Sequence, residues 1–207
     1  LHREALAIKL AALGENDPGV AETHNLLGIA RRWRGDFAGA ETEYRVALGI
    51  WRRAYGEDHP KVAMALNNLA LVLHVRGDHA GARRIFEELL PLRRRLLGPE
   101  HPDYQVTLAN YAKLLHDSGD LTGAERVYRE ALAIGEKALG TEHPLVANTL
   151  ADFSAVLAKL GKLDAALAAA ERALAIRRQI HGEVHRTVAA SLTWRWARRG
   201  RLGLLPG

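Results

Sequence analysis

Residues 56–60 read Gly-Glu-Asp-His-Pro, and this short motif returns at a fixed spacing along the whole chain. Close copies occur at 98–102 (Gly-Pro-Glu-His-Pro) and 140–144 (Gly-Thr-Glu-His-Pro), and degraded copies begin at Gly14 and Gly182. Each leading glycine follows the previous one by 42 residues, without insertion or deletion. A fixed period of about 20 to 50 residues is typical of a solenoid of stacked repeats. We therefore predict one continuous repeat domain.

The sequence between two motifs predicts a pair of antiparallel helices. Pro60 suits the first helical position, because its fixed φ is helical and its missing N–H would have no partner there. Apolar residues at three- and four-residue steps then form one stripe that ends near Gly77. After this short turn a second helix is predicted from about His79 to Leu97.

The motif itself is predicted to join one repeat to the next. Gly98 allows a left-handed cap at the end of the second helix, and Asp58 places negative charge near the start of the next first helix. Pro91 should bend or break its helix, because proline cannot donate the backbone hydrogen bond.

The repeat pattern also predicts the organisation of the chain. A solenoid is expected over residues 1–192, followed by a degenerate basic C-terminal cap or tail at 193–207. Its units are a partial repeat at 1–13, full repeats at 18–55, 60–97, 102–139 and 144–181, and the first helix of a last repeat from residue 186. Because the pattern starts in mid-repeat, we expect the sequence to be a piece of a longer protein.

Columns of equivalent residues, 42 positions apart, carry a family resemblance. The first helices carry a column of small residues: Gly28, Ala70, Ala112 and Ser154. The second helices carry a column of alanines (Ala40, Ala82, Ala124, Ala166), then a column of aromatic residues (Tyr44, Phe86, Tyr128), then a column of small or apolar residues (Ala47, Leu89, Ala131, Ala173). These columns resemble the tetratricopeptide repeat. The repeat length, the motif and Leu-Asn-Asn-Leu-Ala at residues 66–70 are similar to the kinesin light chain variety. The resemblance implies an all-α, right-handed α-solenoid of antiparallel helix pairs, with first helices lining a concave binding surface.

Composition excludes several classes of function. The formal net charge of the 207 residues is +5. From residue 186 onward there are five basic and no acidic side chains, which leaves 24 basic and 24 acidic residues before it. A neutral repeat body argues against nucleic-acid binding. Cysteine is absent, and no apolar run of about 18 residues could span a membrane. We expect a cytoplasmic location.

The C-terminal segment from Trp194 to Gly200 has two interpretations. Solenoids need a terminal unit to cover the last apolar face, so a capping helix with a loose end is expected. Alternatively, its tryptophans and arginines form a basic aromatic tail that binds nucleic acid or an anionic membrane.

The recurring histidines, His59, His101, His143 and His185, suggest a metal site at first sight. Zinc needs its ligands about 2 Å from one ion, whereas neighbouring helices pack about 8–10 Å apart. We therefore predict that each histidine bonds the local backbone and that no metal or cofactor is bound. The sequence also lacks a phosphate loop, a zinc-protease motif and a nucleophile elbow, so we predict no catalytic activity.

Candidate binding residues lie on the first helices. Asn25 and Asn67 share one column, Asn68 and Asn110 share the next, and a carboxamide can both donate to and accept from the backbone of an extended peptide. Alternatively, Asn68 and Asn110 bond to neighbouring helix backbone. Further basic candidates add positive charge along the same helices: Arg32, His74, Lys113 and His116.

These residues predict a non-catalytic scaffold that binds a protein or an extended peptide, with acidic sequence favoured and no small-molecule substrate. The alternative is a regulatory sensor arm of a larger bacterial signalling protein, such as an ATPase, a kinase or a transcription regulator. The oligomeric state does not follow from the sequence.

Overall fold

The computed structural model describes residues 2–181 and the side chains of residues 7–180. This part of the chain contains nine α-helices and no β-strand. They are α1 (His2–Leu13), α2 (Pro18–Trp33), α3 (Phe37–Tyr55), α4 (Pro60–Val75), α5 (His79–Leu97), α6 (Pro102–Asp117), α7 (Leu121–Leu139), α8 (Pro144–Lys159) and α9 (Leu163–His181). The prediction of an all-α solenoid of helix pairs is confirmed. None of the described helices is long and apolar enough to cross a membrane.

The chain divides into two compact units, Leu1–Pro99 and Glu100–Gly207. In the first unit α2 packs against α3, α3 against α4, and α4 against α5. In the second unit α6 packs against α7, α7 against α8, and α8 against α9. Within each unit, every helix therefore packs mainly against its neighbours in sequence, as expected of a repeat protein.

The first helix of each full repeat begins at proline, as predicted. The residue that caps α4 is His59, whose Nδ1 accepts a hydrogen bond from the backbone N–H of Lys61 at 3.2 Å. Asp58 instead forms an ion pair with Arg95 on α5. The histidine therefore supplies the cap, and the neighbouring acid links one repeat to the next.

Glycine ends the second helices with a positive φ, as predicted. The φ and ψ angles are 79° and 179° at Gly56, 90° and 160° at Gly98, and 87° and 159° at Gly140. The prediction of a left-handed helical cap is wrong in its ψ, because that conformation has a ψ of about +47°. The observed angles lie in a region that is essentially restricted to glycine.

Pro91 does not break its helix. Helix α5 runs without interruption from His79 to Leu97 with Pro91 inside it. Both Pro91 and Glu87, whose carbonyl would have accepted the missing N–H, are exposed. The prediction of a break is therefore wrong.

The predicted core columns are buried. Tyr44 and Phe86 are fully buried and Tyr128 is 1 % exposed. A Cβ atom added to Gly28 would lie 2.6 Å from Cε1 of Tyr44. The small first-helix column therefore lets the aromatic side chain of the second helix approach the first helix closely.

Ion pairs join neighbouring repeats on the surface of each unit. In the first unit Arg52 pairs with Glu88 and Arg76 with Glu41. In the second unit Lys162 pairs with Glu125 and Arg172 with Glu136. The partners lie 35 to 37 residues apart, so each pair connects adjacent repeats.

Candidate peptide-binding face

One side of each first helix is left open by the packing, and we call it the first-helix face. On α4 it contains Asn67, Asn68, Leu71 and Val75, whose spacing of three, four and seven residues places them on one side of a helix. They are half-buried or exposed, whereas Leu66, Leu69 and Ala70 on the opposite side are fully buried. The predicted binding residues belong to this open face or its edge, except Asn25, which is buried.

Two of the predicted asparagines contact each other in the first unit. Nδ2 of Asn68 donates a hydrogen bond to Oδ1 of Asn25 at 3.0 Å. Asn25 is only 4 % exposed, whereas Asn68 is half-buried. Asn25 therefore orients Asn68 and offers little surface to a ligand itself.

The other two asparagines, Asn67 in the first unit and Asn110 in the second, are half-buried. Within the described residues neither carboxamide has a hydrogen-bond partner. The alternative in which Asn68 and Asn110 bond to helix backbone is not observed, because Asn68 donates to a side chain and Asn110 makes no such bond. Both Asn67 and Asn110 keep donors and an acceptor available.

The basic candidates in the first unit contact aromatic rings. The guanidinium carbon of Arg32 lies 5.8 Å from the ring centroid of Trp33. Burial raises the pKa of the Tyr44 hydroxyl, and the positive charge of Arg32 partly opposes this shift. The ring of His74 meets that of His79 edge-on at 5.8 Å. Arg32 and His74 thus lie at the C-terminal ends of α2 and α4, beside the second helices.

The basic candidates in the second unit lie among carboxylates. Lys113 is exposed, and Nδ1 of His116 is 3.0 Å from Oδ1 of Asp117. Lys113, Arg177 and His116 all act electrostatically on Asp152 of α8. This face therefore carries both signs of charge.

The sequence prediction missed Asp152 and Asp117. Desolvation raises the pKa of Asp152, the three neighbouring basic groups oppose that shift, and Asp117 adds to it. Burial together with the charges of Asp152 and Asp117 also raises the pKa of Tyr128 beneath them. The column that contains Asn68 and Asn110 continues at Asp152, so comparison along this column could have found it.

Exposed apolar side chains on the first unit were also missed. Trp33 is 81 % exposed, Val75 is 60 % exposed and Leu26 is 46 % exposed. Trp33 and Val75 share a column that continues with Asp117 and Lys159 in the second unit. The first-helix face is therefore apolar at these positions in the first unit and charged in the second.

The histidines of the repeated motif are backbone caps, as predicted. Nδ1 of His101 accepts from the N–H of Asp103 at 3.1 Å, and Nδ1 of His143 accepts from the N–H of Leu145 at 3.2 Å. No group of three or more metal-ligating side chains occurs among the residues whose structure is described. His185 and the predicted cap or tail at 193–207 lie outside those residues.

Comparisons with known proteins agree with this architecture. A family model described as tetratricopeptide repeat matches residues 19–95, 62–137 and 104–179. None of the curated protein sequences matches the chain.

Solved structures with the same fold include BtubC (BKLC) from P. vanneervenii. It is 27 % identical with a TM-score of 0.79, and the match covers 87 % of this chain and 72 % of that one. A kinesin light chain-like protein of P. anserina with nearly identical TPR-like repeats is 19 % identical, with a TM-score of 0.75 and coverage of 87 % and 85 %. The apo form of RapI is 17 % identical, with a TM-score of 0.77 and coverage of 96 % and 76 %.

Tetratricopeptide repeats generally mediate protein–protein interactions, and their fold is typically a non-catalytic scaffold. The family model covers most of the described helices, and the columns that carried the resemblance form the core. This chain belongs to the tetratricopeptide repeat family, and its fold is similar to that of kinesin light chain-like repeat proteins.

Proposed function

We propose that the chain is a non-catalytic module that binds extended segments of a partner protein along the first-helix face of each unit. The observation that carries the proposal is the pair of carboxamides, Asn67 and Asn110, that are half-buried and have no hydrogen-bond partner in the described structure. Leaving such groups without a partner costs free energy when water is excluded. A peptide backbone, with alternating N–H and C=O groups, satisfies them.

Asn68 has a related role in the first unit. One N–H of its carboxamide is held by Asn25 at 3.0 Å. Its remaining N–H and its oxygen are left for the ligand, and the hydrogen bond to a buried side chain fixes their direction. Preorganised groups lose less conformational entropy on binding.

Side chains around the asparagines select the bound sequence. The first unit offers apolar surface at Trp33 and Val75, with the positive charge of Arg32 beside it. The preference for acidic peptides rests on Arg32 and His74 in this unit, because the second unit offsets its basic groups with Asp117 and Asp152.

Binding to an immobilised library of peptides, each acetylated and amidated at its ends, tests the proposal. We expect Asn67→Ala and Asn110→Ala each to lower the affinity for the peptides that the wild type captures by about ten-fold. This change corresponds to one lost hydrogen bond of about 1.4 kcal/mol. Asn16→Ala is the matched control, because Asn16 is an exposed asparagine of the connector before α2.

Two outcomes would contradict parts of this proposal. Unchanged affinity in both asparagine variants, with helical circular dichroism retained, would exclude the first-helix faces as the binding surface. Equal binding of acidic peptides and of their glutamine and asparagine counterparts would exclude the preference for acidic sequence.

A further inference from the structure

Asp152 is the exception in a column of carboxamides. Asn68 and Asn110 occupy the two equivalent positions before it. Asn68 donates a hydrogen bond to Asn25, which lies 43 residues earlier in the sequence. A side chain in the column of Asn68 therefore faces the residue 43 positions before it, in the previous repeat. For Asp152 the residue at that offset is Ala109, which cannot form a side-chain hydrogen bond. Asp152 therefore lacks the partner that orients Asn68.

The surroundings leave this carboxylate without a direct partner. Asp152 is exposed, and among the described residues it has neither a hydrogen bond nor an ion pair within 4 Å. Arg177 on α9 donates through Nη2 to Oδ1 of Asn148, one helical turn before Asp152, at 3.0 Å. On α6, His116 bonds to Asp117. The basic groups near Asp152 thus act on it through space.

Desolvation of a carboxylate is unfavourable unless a cation or a hydrogen-bond donor compensates for it. Burial against neighbouring helices raises the pKa of Asp152, even though its side chain reaches solvent. A cationic group arriving from solvent would form a charge-assisted hydrogen bond, which is about twice as strong as a neutral one.

We propose that Asp152 receives one lysine or arginine side chain of the segment bound along the first-helix face of the second unit. This assignment rests on the proposed function. Lys113 and Arg177 lie close enough to act on the same carboxylate, so they repel a second basic residue beside the first. The bound segment therefore presents a single basic residue with neutral or acidic neighbours, and not a polybasic run.

The test uses the full chain and the same acetylated and amidated peptide library. Each captured peptide that contains arginine or lysine is resynthesised with citrulline or Nε-acetyllysine, which remove the charge and keep the aliphatic part of the side chain. We expect one such replacement to weaken binding to the wild type by about ten-fold. Asp152→Asn should abolish this difference, whereas Asp152→Glu should retain most of it.

Asn110→Ala separates this inference from the proposed function, because it should weaken the charged and the neutral peptide by the same factor. Peptides that bind the wild type equally well with and without the positive charge would overturn the assignment of Asp152 and leave the binding face intact. Discrimination that survives in Asp152→Asn would also overturn it. If no peptide binds the wild type, both proposals fail.

Discussion

The close approach of Tyr44 to Gly28 gives the sharpest test of the packing. A methyl group at residue 28 would lie 2.6 Å from Cε1 and 2.8 Å from Cδ1 of the Tyr44 ring. The ring is fully buried, so it cannot rotate into open space. Gly28→Ala should therefore force α2 and α3 apart or displace the ring.

Two opposing effects set the change in the free energy of unfolding caused by Gly28→Ala. Alanine in place of glycine inside a helix stabilises by about 0.8–1 kcal/mol. Overpacking a filled core costs about 1–3 kcal/mol, and a contact about 1 Å shorter than normal van der Waals separation lies at the upper end of that range. We expect Gly28→Ala to lower the free energy of unfolding by about 2 kcal/mol.

Gly49→Ala is the matched control. Gly49 is also helical and lies in the same unit, but an added Cβ would meet only Nη1 of Arg53, at 3.6 Å. The free energy of unfolding of this variant should rise by about 0.8–1 kcal/mol from helix propensity alone. The free energies of unfolding of the two variants should therefore differ by about 3 kcal/mol.

Urea unfolding followed by circular dichroism at about 222 nm measures both changes, because the stability of a repeat array falls with that of any one repeat. A Gly28→Ala variant that is as stable as the wild type would refute the argument that Tyr44 needs this space.

Three further predictions concern the joints and the charges. Gly140 has φ 87° and ψ 159°. Among conformations with positive φ, asparagine tolerates only the left-handed helical region, so Gly140→Asn should cost as much as Gly140→Ala, about 1–3 kcal/mol in urea unfolding. Glu136→Arg and Arg172→Glu should each lower stability and should restore it together, with a coupling of about 0.2–1 kcal/mol in a double-mutant cycle because both side chains are partly exposed. Hydrogen bonds from Lys162 and Arg129 lower the pKa of Glu125 from its ordinary value of 4.5. Ionised Glu125 therefore stabilises the fold fully above pH 4.5, and this stabilisation is lost as the pH falls through the lowered pKa. Glu125→Gln should remove this pH dependence from a titration of the urea unfolding midpoint.

The repeat architecture could be predicted because its signals are local. A proline at the first position of a helix and a glycine just after its last position act through their own backbone geometry. Pro60 therefore marks the start of α4 and Gly98 the end of α5 without reference to the rest of the fold. The effect of Pro91 could not be read in this way, since it depends on how the surrounding structure accommodates the missing backbone hydrogen bond.

The candidate site could be predicted only in part, because column positions do not show which side chains meet. Asn25 and Asn67 share a column, yet the hydrogen bond joins Asn25 to Asn68. A one-residue offset between stacked helices decides this, and it is a property of packing. The same limit applies to Asp152, whose missing partner is apparent only once the offset is known.

The ion pairs between repeats bear on how such a chain can grow by gene duplication. Arg52 pairs with Glu88 in the first unit, whereas at the equivalent columns Glu136 pairs with Arg172 in the second. A tandem copy of residues 60–101 would place Arg94 opposite a new Glu88, so the added repeat would keep an attractive pair. A tandem copy of residues 144–185 would instead place Arg178 opposite a new Arg172. The interior repeat is therefore suited to duplication, and the last described repeat needs a compensating substitution.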